Sequence, residues 1–189
     1  MMSKKVAVFL ADGFEEVEAI APIDLLRRAE IEVDTVSLTD ESLVTSARKV
    51  KVVADKVINE INFDKYDMLI LPGGPGHENY FKSQLLLDKV LEFSKDTKNK
   101  KVGAICAAPL ILSKLGILEN KKAICFPACE NGLLEGKPIL THERVVVDGN
   151  IVTSRSAGTA IDFALEIISQ LLGSKKSKEI KDEIVYSKK

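Results

Sequence analysis

What most constrains this chain is a rhythm: short, β-branched, almost wholly apolar runs recur between longer segments whose apolar residues fall at helical spacing. "KKVAVFL" (Lys4 to Leu10), "EVDTVSL" (Glu32 to Leu38), "KVVA" (Lys51 to Ala54), "DMLILPGG" (Asp67 to Gly74), "KVGAIC" (Lys101 to Cys106) and "KAICFP" (Lys122 to Pro127) read as strands. Several lack the in-out alternation of a one-sided sheet, and a strand apolar on both sides needs cover on both. Helical patterns occupy about Phe14 to Ala29, Leu85 to Thr97, Ala107 to Leu115 and Thr159 to Leu172. That alternation predicts an α/β fold, a mostly parallel sheet with helices on both faces. "RVVVDGNIVTS" (Arg144 to Ser154) breaks the rhythm, because Asp148-Gly149 between two β runs signals a small late hairpin. The charged tail "GSKKSKEIKDEIVYSKK" fits a terminal helix packing Ile180, Ile184 and Val185 inward. No repeat, low-complexity linker or composition break divides the 189 residues, so residues 1–189 are expected to form a single domain.

Charge and cysteine content exclude several classes of function. The 27 Lys and Arg nearly balance the 28 Asp and Glu, so no overall positive field gathers nucleic acid or an anionic membrane. "MMSKK" passes directly into "VAVFLA", too short for a signal-peptide apolar region, and no later run approaches the ~20 apolar residues that span a bilayer. The expectation is a soluble, cytoplasmic protein. Three cysteines, Cys106, Cys125 and Cys129, suit reduced thiols better than a disulfide framework.

In open sheets of this kind ligands collect beyond the carboxyl ends of the strands. Three features fall there: "ADGFEEVEA" after the first strand, "LPGGPGHEN" after Leu71, and "ICAAP" after Ile105. On the helix that starts near Phe14, Glu18 shares a side with Val17, Ala21 and Leu25. A carboxylate on an apolar face takes up a proton or finds a partner, since burying its charge alone is costly. Glu15 and Glu16 need only favour the helix N-terminus, with Asp12 and Glu15 resembling a capping pair, and Pro22 should kink the helix. Cys106 ends a strand and meets two alanines and a helix, as in a nucleophile elbow. Backbone N–H groups at that helix start would stabilise a thiolate or an oxyanion, although a small residue in a tight turn explains the cysteine as well. The glycines of "PGGPG" let backbone N–H groups approach a ligand closely, which makes Gly73 and Gly74 pocket candidates. Neither GxxxxGK[ST] nor a GxGxxG after the first strand is present, so phosphate-loop readings fail. The CxxxC pair Cys125 and Cys129, without matched ligands, is a weak metal signal, and Cys125 is expected to be buried and inert.

"LADGFEEVEAIAPIDLLRRA", "YDMLILPGGPG", "AICAAP", "CFP" and "DGNIVTSRSAGTAIDFALEI", in that order, resemble the ThiJ/PfpI superfamily, in the branch of the parkinsonism-associated protein DJ-one and its bacterial relatives. The resemblance runs from about Lys4 to about Gly173. It implies a flavodoxin-like sandwich, usually homodimeric, with Cys106 as nucleophile and oxidation-sensitive thiol and Glu18 as a protonated acid bonded to it. It further implies that Gly74 and Ala107 lend backbone N–H groups to the pocket, and that Arg28 and Arg48 lie near the site or the dimer contact. Protease-like members place histidine after the cysteine. Ala107 stands there in this chain, so a Cys-His protease or amidotransferase lacks its general base. Phe126 stands where another branch carries a site histidine, and His77 is read as a solvated loop residue before it is read as a ligand contact. The activity implied is that of a glyoxalase or protein deglycase acting on methylglyoxal, glyoxal or early glycation adducts, with no cofactor and no metal. A redox-sensing stress protein or chaperone, whose Cys106 is oxidised to sulfinate, uses the same residues.

Overall fold

The computed structural model describes residues 3–186; the start of "MMSKK" and the last three residues of the charged tail lie outside the described residues. The apolar runs become β1 (Lys5–Leu10), β2 (Glu32–Ser37), β6 (Met68–Leu71) and β7 (Lys101–Ile105), joined in one seven-stranded sheet by β5 (Lys56–Val57), β10 (Val145–Asp148) and β11 (Ile151–Ser154). Its order is β10-β11-β7-β6-β1-β2-β5, and every pair is parallel except β10 with β11, the expected hairpin. The run β2-β1-β6-β7-β11 is the doubly wound order of flavodoxin-like proteins, with its switch point between β1 and β6.

Alternate residues of the central strands feed two cores. Val6, Val8, Leu10 and Ile70 pack with α1 (Glu16–Arg28), α5 (Ala160–Leu172) and Ile180 of α6 (Ser174–Glu183) on one face. Ala7, Phe9, Leu69 and Leu71 pack with α2 (Gln84–Lys95), α3 (Pro109–Lys114) and Leu133 of α4 (Glu130–Leu134) on the other. Because each strand is covered on both sides, it is apolar throughout. Burying a Phe or Leu this way stabilises the fold by roughly 1.5–3 kcal/mol per side chain.

Four expectations need correction. The Lys51–Ala54 run gives β4 (Lys51–Val53), which pairs antiparallel with β3 (Leu43–Thr45) in a separate two-stranded flap. Val50 and Val53 stay exposed on it, so the three apolar residues of this run are too few to enter the main sheet. The Lys122–Pro127 run gives only β8 (Lys122–Ala123), parallel to β9 (Ile139–Leu140) in a satellite pair. Val17 does not share the buried face of α1 with Glu18: it is 48% exposed, whereas Glu18 is 1% exposed. In the tail, Ile180 is buried and Ile184 partly so, but Val185 is exposed, because α6 ends at Glu183 and the chain turns there with a positive φ. Pro22 sits inside α1 without ending it.

Candidate active site

The loops after β1, β6 and β7 converge at the switch point. β7 ends at Ile105, and Cys106 takes φ 65°, a left-handed conformation that costs a non-glycine residue about 1–2 kcal/mol. Neighbours over-determine it. The Cys106 N–H donates to the Ser154 carbonyl of β11 at 2.9 Å, and its own carbonyl accepts the Phe126 N–H at 2.8 Å. The strained turn lifts the sulfur out of the strand into a cleft, half-buried, with the N–H groups of Gly74 and Ala107 directed at it.

Glu18 reaches the same place from α1. Its Oε2 accepts the Gly73 N–H at 3.0 Å, and the carboxyl also meets the Ala157 N–H and the Cys106 thiol. Burial pushes its pKa up to about 7, against the pull of those hydrogen bonds and with the help of the nearby Glu15 charge. Gly73 admits no side chain here, since a Cβ would lie 2.6 Å from Glu18 Oε2 and 2.7 Å from Cys106 Cβ. Gly74 holds φ 92°, which turns its N–H toward the sulfur. The fully buried Tyr80 braces this loop by donating to the carbonyls of Pro72 and Phe9 at 2.9 and 3.0 Å.

Cys106 and Glu18 form one coupled pair of buried acids. Burial, then the Glu18 charge and hydrogen bond, push the Cys106 thiol well above the ordinary range, and the Gly74 and Ala107 N–H groups pull it only part of the way back. Two adjacent buried acids hold one negative charge between them, which reaches the sulfur only as the proton passes to Glu18. The arrangement is therefore a sulfur and a carboxyl in contact, the carboxyl raised to about 7, with a proton to exchange between them.

The cleft has a volume of about 480 Å³. Besides Cys106 and Glu18 it is lined by Ala107, Phe126, Arg48 and His77, among others. His77 Nδ1 lies 3.0 Å from the Gly74 carbonyl, so its ring is tethered at the cleft wall. The Arg48 guanidinium is 72% exposed, 4.0 Å from Glu15 Oε2, while its backbone N–H donates to Glu16 Oε1 at 2.6 Å. Among the described residues, no group of three or more His, Cys, Asp or Glu is placed to hold a metal.

A profile described as the DJ-1/PfpI family matches residues 4–170. The chain belongs to the DJ-1/PfpI family. It is similar to protein dj-1beta of Drosophila melanogaster, 37% identical over 95% of both chains, and to DJ-1 homolog B of Arabidopsis thaliana, 41% identical over 93% of this chain. The chain spans 40% of the length of that Arabidopsis protein. In three dimensions it is similar to an oxidised DJ-1 of Toxoplasma gondii, with a TM-score of 0.91, 34% identity, and 98% and 100% of the two chains covered.

Against that DJ-1/PfpI frame, the structure brings Cys106, Glu18, Gly73, Gly74, Ala107, Arg48 and His77 together and leaves Arg28 apart. Arg28 ends α1, where it binds Asp24 at 2.7 Å and Glu183 of α6 at 3.0 Å, and it does not line the cleft. Gly73 serves Glu18, not an oxyanion pocket, because its N–H is taken by the carboxylate. The Asp12–Glu15 capping pair does not form: Asp12 Oδ1 accepts the Thr45 N–H of the flap, and Glu15 lines the cleft. Glu16, given no special role by its position in the sequence, bonds the Ser46 hydroxyl and the Arg48 N–H and so ties the flap to α1. Tyr80 and Ala157 carried no local signal, since their roles depend on loops distant in sequence.

Proposed function

We propose that this DJ-1/PfpI protein is a cofactor-independent glyoxalase and protein deglycase acting on methylglyoxal, glyoxal and early glycation adducts. The observation that supports this reading is the contact between the Cys106 thiol and a carboxyl of pKa about 7, under the N–H groups of Gly74 and Ala107. Glu18 takes the thiol proton as the sulfur bonds to the aldehyde carbon, and that proton passes on to the carbonyl oxygen, giving a hemithioacetal. Glu18 then moves a proton from this carbon to its neighbour through an enediol, which oxidises the first carbon to a thioester and reduces the ketone to an alcohol. Water cleaves the thioester, releasing the hydroxy acid and restoring the thiol; the sum is methylglyoxal plus water to lactate. Early adducts on protein thiols and amines enter after releasing the same aldehyde. Ala107, in the position a protease histidine would occupy, argues against Cys-His hydrolysis.

The test is lactate formation from methylglyoxal by the wild type and Cys106→Ser. Loss in the variant supports the assignment, and equal rates eliminate Cys106 as nucleophile. A second reading, a redox-sensing stress protein or chaperone with little turnover, is favoured by the likeness to an oxidised DJ-1 of Toxoplasma gondii. Peroxide titration followed by intact mass separates the two. Selective double oxygenation of Cys106 with negligible aldehyde turnover supports the sensor.

The same reading takes the chain as one ThiJ/PfpI-type domain in a cytoplasmic homodimer. Exposed Val17 and Ile20 on α1 and Val50 and Val53 on the flap supply an apolar face suited to a second copy.

A further inference from the structure

The Cys125–Cys129 segment borders the cleft, yet the chemistry above does not use its thiols. Both are free. Cys125 Sγ lies 3.3 Å from the Phe126 carbonyl oxygen, and that oxygen also accepts the Cys129 N–H at 2.8 Å. Two groups held on one atom this way place the Cys125 sulfur within about 6 Å of the Cys129 backbone nitrogen, inside the range that a cysteine side chain and modest turn movement can close. Mobility and access favour closure from the Cys129 side. Cys125 is fully buried and Cys129 partly exposed at the edge of the core, and the 3₁₀ turn Pro127–Cys129 contains no fully buried residue, so its movement disturbs little packing. Burial first, and then charge at Cys129, oppose ionisation of Cys125.

We infer that Cys125 and Cys129 form a redox-active dithiol that a peroxide closes to an intramolecular disulfide, a modification site separate from Cys106. Hydrogen peroxide transfers one oxygen to the Cys129 sulfur, giving a sulfenic acid and water. The Cys125 sulfur then attacks the Cys129 sulfur; the S–S bond forms, the S–O bond breaks, and hydroxide leaves as water with the Cys125 proton. Two thiol hydrogens and one peroxide become two waters.

The experiment uses the full chain carrying Cys106→Ser, which removes the first oxidation site. After hydrogen peroxide treatment, intact mass is expected to fall by about 2 Da and to recover with dithiothreitol. Peptide mapping should place the loss between Ala123 and Arg144, and Cys106→Ser with Cys129→Ser should not show it. Phenylarsine oxide, which bridges close thiol pairs, gives a readout that needs no oxidation: it should add once to Cys106→Ser and not to the double variant. Gains of oxygen without the 2 Da loss, a covalent dimer, or failure of the arsenical to add would each overturn the inference.

Discussion

Two stretches of this chain carry the same tripeptide, Ala-Ile-Cys, at Ala104 to Cys106 and Ala123 to Cys125, and each reaches a proline within three residues. One lies in the middle of the seven-stranded sheet and the other at the end of a two-residue strand beside it. In the first, β6 and β11 fix β7 on both sides, so the chain must turn sharply at Cys106 to start α3, and the left-handed φ presents the sulfur to Glu18. In the second, the chain continues through Phe126 with φ −61°, and Cys125 is sealed, its thiol turned back on a carbonyl. Both thiols are pushed up by burial, Cys125 to about 12, but Cys106 has a carboxyl hydrogen-bonded to it and Cys125 does not. Reactivity follows from the partner and the turn, not from the local letters.

The largest expected effect would break this comparison outright. Cys106→Ser should lower aldehyde turnover by roughly 10³-fold or more, whereas Cys125→Ser should change it less than about threefold; comparable losses in initial-rate assays would mean that the two sulfurs are equivalent.

A second effect lies in the pH dependence of stability. Glu18 ionises at about 7 in the folded protein and near 4.5 when unfolded. Between those values the unfolded chain binds fewer protons, so stability falls as pH rises, by on the order of 3 kcal/mol across the window. Denaturant titrations from pH 4 to 8 should reveal this slope, and Glu18→Gln should flatten it. A slope unchanged by Glu18→Gln would remove the buried acid from the account.

Gly73→Ala sharpens the contrast next. Its methyl group would press on Glu18 Oε2, Cys106 Cβ and the Ile105 carbonyl, so displacing the pair should cost about 10²-fold in turnover. A near-normal rate would show that the pair tolerates a shift.

Smallest is the backbone term. Cys106→Gly relieves the left-handed strain, while Cys125→Gly only empties a packed site. Their thermal or denaturant stabilities should differ by about 2 kcal/mol in favour of Cys106→Gly. Equal values would mean that the Cys106 turn stores no strain.

Much of this was legible in the chain. Strands covered on both faces must be apolar throughout, so β1, β6 and β7 announced themselves, and Asp148-Gly149 marked the hairpin. Glu18 stood out because a carboxylate among apolar residues needs an explanation, and its burial bears that out. Less legible were the short runs, because Lys51–Val53 and Lys122–Ala123 carry too little apolar surface to fix which sheet they join. Helical spacing likewise could not say on which side of Glu18 the buried stripe continues, so Val17 was misplaced.

By itself the sequence determined the layered α/β architecture, the switch-point loops and the two residues worth watching, since hydrophobic periodicity and the cost of burying charge act over a few neighbouring residues. Only the tertiary structure decided that the Gly73 N–H goes to Glu18 and the Gly74 N–H to sulfur, that Arg28 stands apart, and that the Cys106–Glu18 pair keeps a proton. Those outcomes depend on directions and ångström-scale distances between segments far apart in the chain, and desolvation exists only once the segments have closed around the groups they bury.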